Sequence, residues 1–225
     1  MVHVIKKIQR PPEEIIDKFR TLGSATVYEA SGRSGSVHPS IKPLRPGMKI
    51  VGPAVTVKCA PGDNLMLHKA LEVAEPGDVI VASTGNYPFA GYFGDLMATY
   101  AVSRGIAGLA IDGCVRDSSS IAEMGLAVFC RGTCIRGTTK GLLGLINHPI
   151  LFGEVIVSPG DLVLGDDDGI VIVERDRIEE VLEASLNRAR KEEEKARVLS
   201  SGVSTVSYNR LDRVFAQLGL VEESS

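Results

Sequence analysis

The run Gly108-Leu-Ala-Ile-Asp-Gly113 constrains this chain more than any other feature. Its apolar residues are continuous rather than alternating, which marks a strand buried on both faces, and such strands belong to sheets covered by other elements on each side. Helical patterns flank it. Asp95 to Arg104 precedes it and Ser118 to Met124 follows it, and a further apolar run, Val79-Ile-Val-Ala-Ser83, comes earlier. Strand–helix alternation of this kind predicts an α/β core. Additional strands are expected at Ile50 to Cys59, Leu126 to Phe129, Val155 to Val157, Leu162 to Leu164 and Ile170 to Val173. The last two form a hairpin closing on Asp166-Asp-Asp-Gly169.

Pro-Gly-Asp occurs three times, at Pro61–Asp63, Pro76–Asp78 and Pro159–Asp161. Proline followed by glycine suits the two central positions of a type II turn, and β-branched runs follow the last two copies, so these are strand-entry turns. Two helices are expected before the sheet: Pro11 to Leu22, with Pro12 at its first position and Gly23 as its stop, and Ser24 to Ala30. After the sheet, Asp176 to Ser200 reads as one long helix. Its apolar stripe, Ile178, Val181, Leu182 and Leu186, covers only the first half, and the second half is almost wholly charged. A last helix is expected over Tyr208 to Leu218. The organisation expected is an α/β catalytic core over residues 1–175 and a helical extension over 176–225, whose charged half lies in water or on a neighbouring subunit.

Charge narrows the function. The formal net charge is −3, and the densest charged segment, Arg188 to Arg197, mixes both signs; nucleic-acid binding needs a basic excess or stripe. No run approaches 18 apolar residues, so no membrane span is expected. The opening Met1-Val-His-Val-Ile-Lys-Lys has no apolar stretch for a secretory signal, which points to the cytoplasm and reduced thiols for Cys59, Cys114, Cys130 and Cys134.

Three places carry candidate chemistry. Arg116 and Asp117 lie just past the carboxyl end of the Gly108 strand, where α/β sheets bind ligands; one can clamp a carboxylate while the other holds a cation. Their bland alternative is a loop arginine beside a helix-capping aspartate. In Gly91-Tyr-Phe-Gly-Asp-Leu-Met97, Gly94 permits close approach and a helix starts at Asp95, so amides at Leu96 and Met97 suit a carboxylate or enolate oxygen, although Asp95 also fits an ordinary cap. Asn64, after the first Pro-Gly-Asp, can bond a water or a substrate oxygen, with His68 four residues on. Asp166 to Asp168 reads as an acidic turn, because a hairpin splays its carboxylates.

Gly23-Ser-Ala-Thr-Val-Tyr-Glu-Ala30, Pro61–Asn64, Gly91–Met97, Asp112-Gly-Cys-Val-Arg-Asp117 and Pro159–Gly169, taken in order, resemble the 4-hydroxy-4-methyl-2-oxoglutarate aldolase family, whose members also act on 4-carboxy-4-hydroxy-2-oxoadipate and decarboxylate oxaloacetate. The same fold family includes the regulator of ribonuclease activity A. The resemblance spans almost the whole chain and includes the family's Gly-Asp pair, here Gly94-Asp95, about twenty residues before Arg-Asp. It implies a swivelling-domain α/β fold, trimers or hexamers, and a class II aldolase using Mg²⁺ or Mn²⁺. It implies that Asp117 holds the metal, that Arg116 binds pyruvate and its enolate, that amides near Leu96 and Met97 take the carboxylate, and that Glu194 of the long helix reaches a neighbour's site. For the base, the expectation is a metal-bound water beside Asp117, tuned by Glu194. A Schiff-base aldolase would need a buried lysine, for which Lys58 and Lys140 are the candidates. The alternative from another class is a non-enzymatic protein that docks on a ribonuclease.

Overall fold

The computed structural model describes residues 3–223; residues 1–2 and 224–225, at the outer ends of the two expected segments and including the start of the opening read for a signal, lie outside the described residues. The strands are β1 (His3–Val4), β2 (Lys42–Pro43), β3 (Ile50–Lys58), β4 (Val79–Ser83), β5 (Gly108–Ile111), β6 (Cys114–Val115), β7 (Ala127–Cys130), β8 (Gly132–Thr133), β9 (Leu145–Ile146), β10 (Ile150–Phe152), β11 (Val155–Val157), β12 (Leu162–Asp166) and β13 (Gly169–Val173). The helices are α1 (Glu13–Arg20), α2 (Ser24–Ala30), α3 (Leu65–Val73), α4 (Asp95–Ser103), α5 (Ser118–Glu123), α6 (Ile178–Ser200), α7 (Thr205–Tyr208) and α8 (Asp212–Leu218).

The main sheet runs β1-β9-β3-β4-β5-β7-β2, with the β12–β13 hairpin joined through β3. Its centre, β3-β4-β5-β7, is parallel, and α3, α4 and α5 make the successive connections. This is the mixed α/β core with N-terminal helices and a long C-terminal helix that the alternation predicts.

Period-two geometry divides the strand residues between two cores. Ile80, Ala82, Leu109 and Ile111 face the helices, against Leu67 and Leu71 of α3 and Ala98 of α4. Val79, Val81 and Ala110 face the other way, against Phe152, Val163, Ile170 and Ile172 of the hairpins. The apolar run of β5 is continuous because each face has its own cover.

The three Pro-Gly-Asp turns have glycine φ values of 74° at Gly62, 87° at Gly77 and 86° at Gly160, as a type II turn requires. In the last two the aspartate closes its own turn. Glu75 N donates to Asp78 Oδ2 and Ser158 N to Asp161 Oδ2, both at 2.7 Å. The first departs, and its aspartate works elsewhere.

Several boundaries shift. The first helix begins after Pro12, which stands at its cap rather than inside it. The long tail helix is preceded by a 3₁₀ turn at Arg175–Arg177. The expected helix Tyr208–Leu218 is two short ones, interrupted where Arg210 adopts φ 55°. The chain divides into two compact units, residues 1–185 and 186–225. Ile178, Val181, Leu182 and Ser185 of α6 are buried, whereas Glu194 is exposed.

A cavity at the carboxyl end of the parallel sheet

Past β5 the chain continues into β6, and the Gly91–Phe93 segment is laid beside it. Tyr92 N donates to Cys114 O and Arg116 N to Phe93 O, both at 2.9 Å. This pairing carries the Arg116 stem across Gly91 and Gly94. A Cβ on Gly91 would stand 2.9 Å from Arg116 Cβ and 2.4 Å from Cys134 O; one on Gly94 would stand 2.5 Å from Asp117 Oδ2 and 3.2 Å from Arg116 Nε. Gly94 has an ordinary extended backbone, φ −133° and ψ −174°. Its need for glycine is therefore steric, the close approach expected from the sequence.

Here a cavity of about 210 Å³ opens. Of the residues singled out in the sequence, Asn64, Gly94, Asp95, Leu96, Met97 and Arg116 line it, and His68, Lys140, Gly137 and Thr138 complete the wall. Asp117 does not line the cavity itself. Its Oδ2 lies against Gly94, 3.5 Å from Arg116 Nε and 3.3 Å from Asp95 N, and Oδ1 has no hydrogen-bond partner among the described residues. Lys58 lies at the end of β3 and lines a different cavity. Glu194 belongs to the 186–225 unit.

Two aspartates do not behave as simple caps. Asp117 precedes α5 in a left-handed conformation, φ 55°, and its side chain makes no capping bond to that helix. Gly94, not Asp95, is the cap residue of α4. Asp95 Oδ1 accepts from its neighbour Leu96 N at 2.7 Å, so the amide read as an anion donor is held by the protein's own carboxylate. Positive-end amides attract carboxylates in either case.

The first Pro-Gly-Asp turn builds the opposite wall. Asp63 is 1% exposed. Oδ1 accepts from Leu65 N at 2.9 Å, and Oδ2 accepts from Thr139 Oγ1 and Gly141 N at 2.7 Å and Leu142 N at 3.2 Å. Burial works to raise its pKa, but these bonds outweigh it and hold the carboxyl below its ordinary range. Asp63 thereby straps the Thr138–Lys140 segment against the cavity. Residues 137–140 are a loop without hydrophobic periodicity and were legible in the sequence only through Lys140. Desolvation first, and then the charge of Lys140, push His68 below its ordinary pKa.

Among the described residues no three His, Cys, Asp or Glu side chains form a metal-holding group. The donor set present, one part-exposed carboxylate with a free oxygen, fits a hard dication that keeps several waters and takes further oxygens from its substrate, as Mg²⁺ does. It does not fit a closed structural site. All four cysteines are unpaired, and burial pushes Cys59 up to about 12 and Cys130 to about 11, as inert core thiols.

Residues 14–172 match the model of the RraA-like family, described as Aldolase/RraA. A protein of Halalkalibacterium halodurans, provisionally named a 4-hydroxy-4-methyl-2-oxoglutarate aldolase, is 36% identical over 193 residues, covering 86% of this chain and 92% of its own. The solved structure of an uncharacterized Pseudomonas syringae protein superposes with a TM-score of 0.82 at 27% identity, covering 92% of this chain and 97% of that one. Streptomyces coelicolor RraAS2, described as an unusual member of the RNase ES inhibitor RraA family, gives 0.77 at 30% identity over 84% of this chain and 99% of its own. With a family match over most of the core and relatives aligned along nearly their full lengths, this chain belongs to the RraA-like, Aldolase/RraA family.

Proposed function

We propose that the chain is a divalent-metal-dependent lyase, a class II aldolase that cleaves 4-hydroxy-4-methyl-2-oxoglutarate or a related 4-hydroxy-2-oxo acid and releases pyruvate, with oxaloacetate decarboxylation as a companion activity. The observation that carries this reading is the seating of Arg116 across Gly91 and Gly94, on the wall of a cavity that also receives the start of α4 and Asn64.

Arg116 binds the 2-oxo and carboxylate oxygens of the substrate by charge-assisted hydrogen bonds and stabilises the charge that builds there as the C3–C4 bond breaks. The substrate carboxylate displaces Asp95 from the Leu96 amide and takes the Met97 amide beside it. Lys140 adds positive charge to the same wall. Asp117 is the residue that would hold Mg²⁺ or Mn²⁺, which when bound supplies Lewis-acid polarisation of the oxo group. Glu194 serves the cavity of a neighbouring subunit in a homotrimer or homohexamer, and residues 176–225 form the extension that brings it there. The charged, exposed second half of α6 supports this role. No helix among the described residues is long and apolar enough to cross a membrane; the enzyme is proposed to act on small 2-oxo acids in the cytoplasm.

The test is pyruvate release from oxaloacetate and from 4-hydroxy-4-methyl-2-oxoglutarate. EDTA should abolish it and Mn²⁺ restore it, and Asp117→Ala should remove it. Full turnover in chelator with a borohydride-trapped adduct on Lys140 would sink the metal route. Likeness to RraAS2 supports a second reading, a ribonuclease-binding protein without catalysis. Inhibition of a ribonuclease with no pyruvate release from either substrate would favour it.

A further inference from the structure

His68 stands four residues past Asn64, the cap residue of α3, so the two share a helix face, and both line the cavity. Met66, Leu67, Ala70 and Leu71 anchor the helix in the core, whereas His68 is exposed. The turn that carries it is fixed, because Asn64 N donates to Thr139 O at 3.1 Å and Asn64 Nδ2 to Tyr92 O at 2.8 Å. Neither ring nitrogen of His68 has a hydrogen-bond partner among the described residues. Four other titratable side chains belong to residues lining the cavity, and none is suited to take a proton there. Arg116 and Lys140 carry positive charge and offer no lone pair. Tyr92 is wholly buried, its hydroxyl accepts from Gly62 N at 2.7 Å, and burial pushes its pKa up. Asp95 is paired with Leu96 N, and like charge drives it from the substrate carboxylate that displaces it. His68 differs from all four. Burial first, and then the charge of Lys140, hold it below its ordinary pKa, so at neutral pH it is uncharged and one ring nitrogen has a free lone pair.

We propose that His68 is the catalytic base of the aldol cleavage and that it returns the same proton to the product. This rests on the proposed lyase reading, and it gives a side chain the role expected for a metal-bound water beside Asp117. Arg116 holds the oxo and carboxylate oxygens at one wall of the cavity, and α3 follows the turn that builds the opposite wall, so the C4 hydroxyl is offered to His68. The free ring nitrogen takes the hydroxyl proton. The O–H electron pair forms the carbonyl at C4, the C3–C4 bond breaks, and its electrons pass into the enolate of pyruvate. The imidazolium then gives its proton to C3, which completes pyruvate and restores neutral His68. No other reactant is consumed. Decarboxylation of oxaloacetate differs at one step: its C4 carboxylate is already ionised, so CO₂ leaves without a hydroxyl proton being removed. His68 is therefore required for cleavage and dispensable for decarboxylation, which a structural role would not produce.

The experiment measures both reactions, with 4-hydroxy-4-methyl-2-oxoglutarate and with oxaloacetate, on the full chain in Mn²⁺ buffer. His68→Asn and His68→Gln should lower kcat for cleavage about 10²-fold, the scale of losing a general base, and leave decarboxylation within about threefold. In the wild type the ratio of cleavage to decarboxylation should fall as pH drops below the ordinary histidine range, because protonation removes the lone pair. In the variants that ratio should not change with pH. Equal losses in the two reactions, or unchanged cleavage in both variants, overturn the assignment and leave the lyase reading standing. A wild-type ratio that is independent of pH overturns it even where a variant fails to fold, as does a wild type that decarboxylates without cleaving. A wild type that releases pyruvate from neither substrate removes the lyase reading and the assignment together.

Discussion

Two regions of this molecule set carboxylates against a helix start, and they end differently. At Asp166–Asp168, Asp166 accepts from Ser24 N at 2.7 Å, Ser24 Oγ at 2.5 Å and Asp168 N at 3.1 Å. Behind the cavity wall, Asp117 has only the longer contacts to Asp95 N and Arg116 Nε. The acidic turn is denser in carboxylates, yet Asp166 has spent its hydrogen-bonding capacity on the start of α2 and Asp167 accepts from Gly47 N at 2.8 Å. The part-exposed Asp117 carboxylate keeps capacity in reserve. Density of charge in a sequence is thus a poor guide to a site, and unspent polar atoms facing a space are a better one.

If this contrast is right, the two regions separate under mutation. Arg116→Ala should lower kcat/KM for pyruvate release by about 10²–10³-fold, the scale of losing one stabiliser of developing charge, with thermal unfolding nearly unchanged. Gly94→Ala should cost about 10²-fold, since displacement of reacting groups by about 1 Å is enough; a crystal structure of the variant should show Arg116 or Asp117 displaced. A Gly94→Ala enzyme with full activity would break the steric argument. Asp166→Asn should leave turnover within about twofold and lower stability by about 1 kcal/mol through weakened bonds to Ser24, measured by urea unfolding. Loss of activity there at preserved stability would erase the distinction.

The smallest effect is in pH. Burial works to raise the pKa of Asp166, but its bonds to Ser24 and Asp168 prevail and hold it below the ordinary carboxylate value, as Asp63's bonds do for Asp63. A carboxyl depressed in the fold stabilises it above its unfolded pKa, and that stability drains as pH falls through the folded one. Unfolding followed from neutral into acid should show this loss, and Asp166→Asn should lack its share, so that variant and wild type converge below the carboxylate range.

Much of the fold was legible. The β-branched runs and the Pro-Gly-Asp turns located β4, β12 and β13, and the alternation of α4, β5 and α5 placed Arg116 at the carboxyl edge of the sheet. Two-residue strands such as β6, β8 and β9 were not legible, because pairing with distant segments defines them rather than their own periodicity. The break at Arg210 was hidden as well: Tyr208, Leu211, Val214, Phe215 and Leu218 keep a helical spacing across it. In the site, Arg116 with Asp117 and Gly94 with Asp95 were readable as two candidate places that only the family resemblance joined, whereas the strap through Asp63 was not. The three Pro-Gly-Asp copies are identical in sequence, yet Asp63 serves Thr139, 76 residues away, whereas Asp78 closes its own turn and also takes the Arg10 guanidinium.

The amino-acid sequence by itself determined the buried parallel strands, the turns that start them and the glycines at positions 91 and 94, because apolar periodicity and backbone freedom act over a few neighbouring residues. Tertiary structure alone decided why those glycines are needed, which aspartate closes its own turn and which straps a wall. Those outcomes are steric and hydrogen-bonding relations between segments far apart in the chain, set by the order in which the strands pair.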